Sequence, residues 1–551
     1  MVFAMDRTAF HPFDRYAAFT DVSALKEAST KPLRRSLRVN TLKSSVEEFR
    51  KWAEEKGWKL EAVPWCREGF FVCLDTFDRV ISIVSRETRS NTRHDTQEAF
   101  GRDLLHQLGH TYIQEAASML PVELLDPKPG ETILDLCSAP GSKTTQIAAK
   151  MACKDEVLSC HAERRGALPT LRLRSPSARS AQDDRGAPET KHGVKGVLIA
   201  NDIQENRLWT LKQALHRTGV TNAIVTKKVG QWFSKHMTER FDRVLCDAPC
   251  TAQGILRKDP GAIIYSSEPR VEKMATLQYA LLESAIHATK IGGRIVYSTC
   301  TLTPEENEGI VSAMLEKFQG KIETVDPSEV LGSRFQVLGK ALEDSKRVQE
   351  EILQQKTRNQ KLENLQPLLR LWPHTFDTEG FFCAVLKKVA RTREPGPMER
   401  MPFQEKPIQG NRLRDIRKIL AEKFGTDFLE GGDCLFERGE NLLLATEEVA
   451  KFSLPTENYS LGLPFAKMVG QGRLRLEHEL AILRGSRASK NTLELSQEAL
   501  EDLLQGRDIA CPKDLRGDVL LRFGANTIGI GLAKGGTVKN RLPRWFVKQA
   551  G

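Results

Sequence analysis

Short apolar runs and helical patterns alternate between residues 130 and 390. The apolar runs are rich in branched residues and bounded by turn residues, and they predict strands at 133–136, 197–202, 223–226, 241–247 and 294–298. Apolar positions at helical spacing predict helices at 144–150, 206–218 and 271–289. This alternation predicts an α/β fold with a Rossmann-like, doubly wound, mostly parallel sheet. Such a sheet binds ligands at the carboxyl ends of its strands.

A smaller α/β module is predicted before this sheet. Residues 1–30 indicate a short helical lead-in, followed by a strand in 33–43, a helix over 45–56 and two strands near 60–63 and 69–74. We place this module at 1–110 and the domain of the large sheet at 111–390. The basic residues of the module form either an RNA contact or a solvated basic edge, and they are Arg34, Arg35, Arg38 and Lys43.

Three polar stretches interrupt or follow the large sheet. Residues 153–195 are aperiodic and rich in Pro, Gly, Ser and Arg, which predicts a disordered surface insertion. Residues 340–365 are charged and Gln-rich with weak helical periodicity, which predicts a projecting helical arm. A proline-containing linker at 391–408 leads to a third region, 409–551, with an alternating pattern over 519–531 that predicts a β-hairpin.

Composition narrows the class of protein. The chain has 551 residues, enough for three or four domains, and a formal net charge of +10. A polyanion is a plausible partner for such a charge, although an ordinary basic protein is an equal alternative. The cysteine count is odd and no CxxC pair occurs, so we expect free thiols in a reducing compartment and no bound metal. No signal peptide or membrane span is evident, so we expect a cytoplasmic protein, or a nuclear one in a eukaryote. We also expect a monomer.

The first strand of the large sheet leads into a turn of small residues and then a helix. Small residues let the backbone approach a ligand closely, and the free amides at the start of the helix face it. This pattern predicts a nucleotide-type pocket. An acid after the second strand, Asp202, is predicted to accept hydrogen bonds from ribose hydroxyls, with a helix N-cap as the alternative. The residues of the turn are Cys137, Ser138, Ala139, Pro140, Gly141, Ser142 and Lys143.

Two cysteines follow two strands of the same sheet. Cys250 lies just after the strand that ends at Asp247, and Cys300 follows the strand at 294–298. A single buried thiol is normally structural, but two at strand ends beside a nucleotide pocket are candidates for nucleophilic catalysis. Positive charge favours the thiolate, and Lys143, Arg257 and Lys258 are available to supply it.

These motifs resemble the Sun-type RNA cytosine-C5 methyltransferases, over about residues 30 to 390. The C-terminal segments 528–531 and 539–544 resemble the PUA-like tail of the bacterial ribosomal-RNA branch of that family. The matching motifs are Arg38-Val39-Asn40-Thr41, Gln114-Glu115-Ala116-Ala117-Ser118, Asp135-Leu136-Cys137-Ser138-Ala139-Pro140-Gly141-Ser142-Lys143-Thr144, Asp247-Ala248-Pro249-Cys250, Ser298-Thr299-Cys300-Thr301, Pro304-Glu305-Glu306-Asn307-Glu308 and Gly380-Phe381-Phe382.

The resemblance implies a cofactor and a role for each site residue. S-adenosylmethionine (SAM) would lie on residues 137–143, Asp202 and Asp247. Cys300 would be the nucleophile that adds to C6 of the base. Asp247 would hold a proton at N3, and Cys250 would assist loss of the C5 proton and product release. The target base would be single-stranded or flipped out of a helix.

The chain departs from the family pattern at several positions. Val229 stands where many members carry an acid, and Thr251-Ala252-Gln253-Gly254 replaces a more usual Ser-Gly-x-Gly. The insertion at 153–195 also falls where the family is short. We expect a ribosomal RNA substrate. The alternatives are a tRNA substrate, a DNA methyltransferase that uses Cys250 as its nucleophile, and a non-catalytic RNA-binding factor for ribosome assembly. Retention of both cysteines argues against the last.

Overall fold

The N-terminal module is a four-stranded sheet with a helix against it. The computed structural model describes residues 12–72, 103–152, 194–262, 267–356, 366–396, 406–470 and 473–548, so nearly all of the predicted insertion at 153–195 lies outside the described residues. The strands are Arg35–Val39 (β1), Leu60–Ala62 (β2), Gly69–Val72 (β3) and Thr111–Ile113 (β4), in the order β2-β3-β1-β4. The helices are Val22–Thr30, Val46–Glu55 and Leu104–Gln107.

The module differs from its prediction in two respects. Strand β4 pairs with β1, so the predicted boundary at 110/111 falls one strand too early. Two of the four basic residues that were predicted to face RNA or solvent instead bind groups inside the protein. Buried Arg38 donates to Gln114 Oε1 and to Thr145 Oγ1, both at 2.9 Å. Lys43 donates to the carbonyl oxygens of Leu108 and Arg217 at 2.7 and 2.9 Å, and burial lowers its pKa to about 7. These two side chains join the module to the large sheet.

The large sheet has five parallel strands at its centre. Their order is β7-β6-β5-β8-β9, and antiparallel neighbours extend it at both edges. The chain builds outward from β5 to β7, then returns to the other side of β5 for β8 and β9. The strands are Thr132–Asp135 (β5), Val197–Asn201 (β6), Ala223–Thr226 (β7), Phe241–Asp247 (β8), Thr289–Thr299 (β9), Ile322–Thr324 (β10), Leu369–Leu371 (β11) and Phe381–Lys388 (β12).

Helices cover both faces of the large sheet because its strands bury side chains on both faces. Ile133 and Leu134, adjacent on β5, belong to two different apolar clusters, one on each face. The doubly wound α/β prediction is therefore confirmed. The strand order reverses between β5 and β8, and ligands bind outside such a reversal. The helices are Leu120–Leu125, Ser142–Lys150, Glu205–Thr218, Gln231–His236, Glu268–Ala288, Glu308–Lys317, Pro327–Leu331, Gly339–Lys356 and Pro373–Phe376.

The helix Gly339–Lys356 is packed against the domain, so the predicted projecting arm is wrong. Ala341 and Val348 are fully buried, and Ser345 is buried beside Glu308. The buried positions form one narrow stripe among many charged residues, which is why the apolar periodicity of the sequence is weak.

A buried ion pair underlies this helix and the loop after β9. The Arg370 guanidinium donates to both carboxylate oxygens of Glu308, through Nε at 2.9 Å and through a second nitrogen, and both side chains are buried. A further nitrogen donates to the Leu302 carbonyl at 2.7 Å. The pair therefore ties β11 to the segment that follows Cys300.

We expect Arg370→Leu to destabilise the protein strongly. Removing one partner leaves the Glu308 charge buried and unpaired, which costs about 3–5 kcal/mol. Urea unfolding followed by tryptophan fluorescence measures the loss. The matched control is Arg412→Leu, at a half-exposed pair with Glu437, which should change stability by less than about 0.5 kcal/mol. Equal effects of the two substitutions would contradict the role given to Arg370.

The C-terminal region contains two further sheets and one strand of the large sheet. Asp433–Arg438 (β13), Asn441–Thr446 (β14), Leu463–Val469 (β16) and Arg473–Leu476 (β17) form one sheet. The strand between β14 and β16, Tyr459–Leu461 (β15), instead pairs with β7 and closes that edge of the large sheet. The helices are Gly410–Phe424, Glu447–Lys451, His478–Arg484, Gln497–Leu504 and Arg544–Lys548.

The last sheet contains the predicted hairpin. Its strands, in the order β18-β20-β21-β22-β19, are Thr492–Glu494 (β18), Ile509–Ala510 (β19), Gly517–Phe523 (β20), Asn526–Lys534 (β21) and Thr537–Lys539 (β22). β20 and β21 form the hairpin predicted over 519–531. Among the helices in the described ranges, none combines the length and the apolar character that a membrane crossing requires.

Candidate active site

The turn after β5 is fastened to the end of β6. The Ser138 amide and hydroxyl both donate to the Asn201 carbonyl, at 2.8 and 2.9 Å. Gly141 has φ of +110°, a conformation that L side chains rarely adopt, and a Cβ there would lie 3.1 Å from Leu211 Cδ1. The helix Ser142–Lys150 starts directly after it, so its free first-turn amides face the space beyond the turn.

Asp202 is held in that turn and does not cap the next helix. Its Oδ2 accepts from the Ala139 amide at 3.3 Å and lies 3.4 Å from Arg207. Its Oδ1 accepts from the Gln204 amide at 2.9 Å, and the following helix begins only at Glu205. The alternative of an N-cap is therefore excluded, and the carboxylate is fixed at the carboxyl end of β6.

Asp135, the last residue of β5, is a buried acid beneath the same turn. Thr144 donates to its Oδ2 at 2.7 Å. Within the described part of the chain, its Oδ1 has no hydrogen-bond partner. Burial raises the pKa of this carboxyl to about 7. An unpaired buried acceptor beside a turn that admits a ligand is the kind of group that a bound ligand satisfies.

Cys250 and Cys300 meet at the ends of neighbouring strands. β8 and β9 are parallel and place Asp247 opposite Ser298. The loops that follow bring the two sulfur atoms to 3.3 Å. The predicted juxtaposition of these thiols beside Asp247 is therefore present. Cys137, in contrast, packs against the apolar cluster under the turn, and burial raises its pKa.

The two thiols differ in acidity. A hydrogen bond from Cys250 is the largest cause that lowers the pKa of Cys300, and the nearby Lys143 charge adds to it. The same hydrogen bond, together with burial, raises the pKa of Cys250. Cys300 is therefore the more acidic thiol of the pair, and Cys250 is the less acidic one.

Lys143 joins the turn to the cysteine pair. Its Nζ donates to Asp247 Oδ2 at 2.7 Å, and the Ser298 hydroxyl donates to Asp247 Oδ1 at the same distance. Burial alone would lower the pKa of Lys143, but the charge of Asp247 and this hydrogen bond raise it. Arg257 does not join the site, because it donates to Asp377 and to backbone carbonyls at 31, 32 and 378.

Two residues of the Pro304–Glu308 motif hold the cysteine loops in place. Fully buried Glu306 accepts from the Thr251 amide at 3.0 Å and from Gln278 at 2.7 Å, which anchors the loop of Cys250. Asn307 accepts from the Thr299 hydroxyl at 2.6 Å and donates to the Thr301 carbonyl at 3.0 Å, which anchors the turn of Cys300. The sequence marked this motif but gave no role to either side chain.

Glycines at 254 and 380 let the segment around Gly380 pack closely against the loops of Cys250 and Cys300. The Gly254 amide donates to the Cys300 carbonyl at 2.9 Å, and the Gly380 amide donates to the Gly254 carbonyl at 2.8 Å. A Cβ on Gly254 would lie 2.3 Å from the Gly380 carbonyl oxygen and 2.6 Å from that of Cys300. No side chain fits there, so the unusual sequence at 251–254 keeps the glycine that this packing needs.

Glu379, next to Gly380, is a buried acid that the sequence did not single out. It is 2% exposed, and within the described part of the chain neither carboxyl oxygen has a hydrogen-bond partner. Burial, with the charge of Glu115, raises its pKa to about 8. It is therefore protonated at neutral pH. Its position one residue before the Gly-Phe-Phe motif was the feature of the sequence that could have identified it as a residue near the site.

We expect Glu379→Gln to stabilise the protein at alkaline pH. The folded chain holds this proton more tightly than the unfolded chain between pH 4.5 and about 8, so stability falls as pH rises through that window. A neutral amide removes the cost of ionising a buried carboxyl, so the free energy of unfolding should rise by about 2–4 kcal/mol near pH 8. Thermal melts at pH 5 and pH 8.5 measure it, with exposed Glu494→Gln as the control. A gain that is the same at both pH values would contradict the assignment.

A buried cluster of Cys66, Glu68 and Glu123 has the chemistry of a metal site but already contains cations. The possible ligand atoms lie within 4.8 Å of one another. Lys150 Nζ lies 2.8 Å from Glu123 and 3.4 Å from Glu68, and Arg334 lies 2.6 Å from Glu123. Two positive side chains neutralise the two carboxylates, so we interpret the cluster as an ion-pair network.

Comparison with known proteins covers almost the whole chain. The model of the 16S rRNA methyltransferase RsmB/F family matches residues 122–168 and 191–387. The model of the N-terminal domain of 16S rRNA methyltransferase RsmF matches 15–79, and that of the RsmF PUA domain matches 490–548. The ribosomal RNA small subunit methyltransferase F of Aeromonas salmonicida is 32% identical over 94% of this chain and 92% of its own length.

The chain belongs to the RsmF family of 16S rRNA methyltransferases. The RsmF relative from Psychromonas ingrahamii is 31% identical over 94% of this chain and 92% of its own length. The predicted methyltransferase and PUA-like domains are thereby confirmed for this RsmF-family protein, as is the predicted resemblance to RsmF-like RNA methyltransferases.

Two solved structures from Pyrococcus horikoshii cover about two thirds of this RsmF-family chain. A methyltransferase homolog protein from Pyrococcus horikoshii is 28% identical, covers 68% of this chain and 93% of its own, and has a TM-score of 0.43. NSun6 from the same organism, solved with SFG, is 21% identical over 69% of this chain and 98% of its own, with a TM-score of 0.45.

Proposed function

We propose that this enzyme methylates C5 of a cytosine in small-subunit ribosomal RNA, with SAM as the methyl donor, through a covalent bond between Cys300 and C6 of the base. The observation that carries the proposal is the thiol pair, with sulfur atoms 3.3 Å apart and opposite pKa shifts. A nucleophile and a separate proton-handling thiol are the two groups that this chemistry requires.

The pocket after β5 has the donors and acceptors that suit SAM. Asp202 is fixed where ribose hydroxyls would bind, and the unpaired Asp135 oxygen is available beneath the turn. Two exposed apolar side chains follow β6 and β7, Ile203 and Val229. We propose that both contact the adenine ring, so that Val229 offers an apolar contact where many relatives of the predicted family carry an acid. SAM supplies the electrophilic methyl group.

Addition of the Cys300 thiolate activates the base. C5 of cytosine is a poor nucleophile, but a thiolate that adds to C6 gives C5 the character of an enamine carbon. The negative charge that develops on the ring is stabilised by a proton held at N3. We assign that proton to the Lys143–Asp247 pair, which lies at the end of β8 with Lys143 Nζ 2.7 Å from the carboxylate.

Removal of the C5 proton completes the reaction after methyl transfer. Cys250 is the group beside Cys300 that can take this proton, once its own thiol proton has passed to solvent and left it a thiolate. β-Elimination then breaks the bond between Cys300 and C6, and Cys300 leaves as the thiolate. The Glu306 and Asn307 hydrogen bonds keep the two loops from separating during these steps. The target base must lie outside a helix to meet both thiols.

Ribosomal RNA is the proposed substrate because the relatives that match 94% of the chain are small-subunit rRNA methyltransferases. The net charge of +10 suits an RNA partner. We further propose that the N-terminal module and the PUA domain at 490–548 contribute to RNA binding. Arg34 and Arg35 remain candidates for such contacts, whereas Arg38 and Lys43 do not.

A methylation assay with nucleoside analysis tests the proposal. The full chain is incubated with labelled SAM and either small-subunit rRNA or tRNA, and each RNA is digested to nucleosides. We expect 5-methylcytidine from the rRNA only. Label in tRNA alone would move the substrate to tRNA, and label in a nucleoside other than 5-methylcytidine would overturn the chemistry. No label in either RNA would favour a binding factor.

A further inference from the structure

The thiol pair also has the features of an oxidation site. Among the cysteines of the described residues, Cys250 and Cys300 are the two whose sulfur atoms are in contact, at 3.3 Å. A disulfide bond is about 2.05 Å long, so the sulfurs need to approach by only about 1.2 Å. Both lie in loops, where such a movement requires no change in the strands.

The surroundings of the pair favour reaction at Cys300. Thiolates that are accessible and stand next to a second thiol are the cysteines that oxidants modify reversibly. Cys300 is partly exposed, shares a hydrogen bond with Cys250 and has its pKa lowered further by the nearby Lys143 ammonium. Cys246 and Cys383, nearby in the same sheet, are buried and their pKa values are raised by burial. Neither offers a comparable target.

We propose that Cys250 and Cys300 form a reversible disulfide when the protein meets a hydroperoxide. The Cys300 thiolate attacks one peroxide oxygen: an S–O bond forms, the O–O bond breaks, and the leaving alkoxide or hydroxide takes up a proton. Cys300 is then a sulfenic acid, oxidised by two electrons. The Cys250 sulfur attacks it, the S–S bond forms, and the S–O bond breaks. The departing hydroxide takes the Cys250 proton and leaves as water.

The anchored loops make this second step faster than further oxidation. Glu306 holds the Cys250 loop through the Thr251 amide, and Asn307 holds the Cys300 turn, so each sulfur is kept facing the other. A sulfenic acid with a thiol at contact distance is captured before a second peroxide arrives. The disulfide therefore protects Cys300 from the irreversible sulfinic state, and a dithiol reductant restores both thiols.

One consequence rests on the proposed function. If Cys300 is the nucleophile, the disulfide removes it, and methyl transfer stops until the pair is reduced. The modification itself does not depend on that role, so it is measured without an activity assay.

Peptide mapping of the full chain tests the proposal. The reduced protein is treated with graded hydrogen peroxide, blocked with iodoacetamide and digested without reductant. Trypsin leaves Cys246 and Cys250 on one peptide, 244–257, and Cys300 on another, 295–317. Fragment spectra then assign which sulfur is linked. We expect a Cys250–Cys300 cross-link that dithiothreitol removes, formed equally in Cys511→Ser, a control cysteine outside the pair.

The variant Cys250→Ser separates protection from simple reactivity. At the peroxide dose that cross-links the wild type, we expect Cys300 in this variant to accumulate as sulfinic acid, which dithiothreitol does not reverse. Circular dichroism checks that this variant is folded. The wild-type experiment tests the proposal even if the variant does not fold. Sulfinic Cys300 without a cross-link in the wild type would overturn the proposal, as would an unmodified Cys300 when Cys511 is oxidised. The proposed function has a separate test, because it would be contradicted by a wild-type protein that methylates no RNA.

Discussion

Replacing Cys300 with alanine is expected to lower methyl transfer to RNA by about 10³-fold or more. The substitution removes the sulfur whose pKa is lowered by the hydrogen bond with Cys250. The one described thiol in contact with it is Cys250, to which we assign proton removal and not addition to C6. Without addition at C6 the base remains a poor nucleophile, so loss of the nucleophile removes the chemical step itself. Initial rates with labelled SAM and small-subunit rRNA measure the effect.

Cys511→Ala is the control for this prediction, because Cys511 lies in the C-terminal region outside the pair. Its rate should equal that of the wild type. Binding of SAM, measured by calorimetry, should be unchanged in Cys300→Ala, since Asp202 and the 138–141 turn are untouched. Full activity in Cys300→Ala would remove Cys300 as the nucleophile and point to Cys250, the arrangement expected of a DNA-type enzyme.

Replacing Cys250 with alanine is expected to leave the protein covalently bound to its RNA. Addition by Cys300 and methyl transfer need only the first thiol, but release needs loss of the C5 proton, which we assign to Cys250. The adduct should therefore accumulate to near one RNA per protein. A denaturing gel, on which the protein band shifts and is restored by ribonuclease, measures the trapped fraction.

The double variant Cys250→Ala/Cys300→Ala provides the matched comparison. It should give no shifted band, because the sulfur that bonds to C6 is absent. A shifted band in the double variant would place the covalent bond elsewhere. Normal turnover without an adduct in Cys250→Ala would show that another group takes the C5 proton.

The sheet and the active-site cysteines were predictable from the sequence for a simple reason. Strands such as Val197–Asn201 are almost continuous apolar runs because both of their faces are buried, and the residues just after such strands must gather at one edge of the sheet. Cys250, Cys300 and Asp247 follow from that topology. The 3.3 Å contact between the two sulfur atoms does not follow from the topology. It depends on the hydrogen bonds by which Glu306 and Asn307 set the conformations of the two loops.

Other features were hidden because polar residues are buried. The helix Gly339–Lys356 reads as a solvated arm because its buried stripe includes Asp344, Ser345 and Gln349. Arg38 reads as a surface cation, yet it is buried and bonded to Gln114 and Thr145. A hydropathy pattern is interpreted on the basis that charged residues face water. It therefore misses buried polar residues whose hydrogen-bond partners are distant in the sequence. Glu379 was missed for the same reason.

The position of β15 has a consequence for how the protein is made. The methyltransferase sheet is complete only when Tyr459–Leu461 pairs with β7, more than two hundred residues after β7 in the chain. During translation, β5 to β12 therefore leave the ribosome while the outer edge of β7 is still unpaired. The catalytic sheet reaches its final form only once much of the C-terminal region has been synthesised. A shortened chain that stops at the linker would carry every catalytic residue but leave that edge of the sheet open to association.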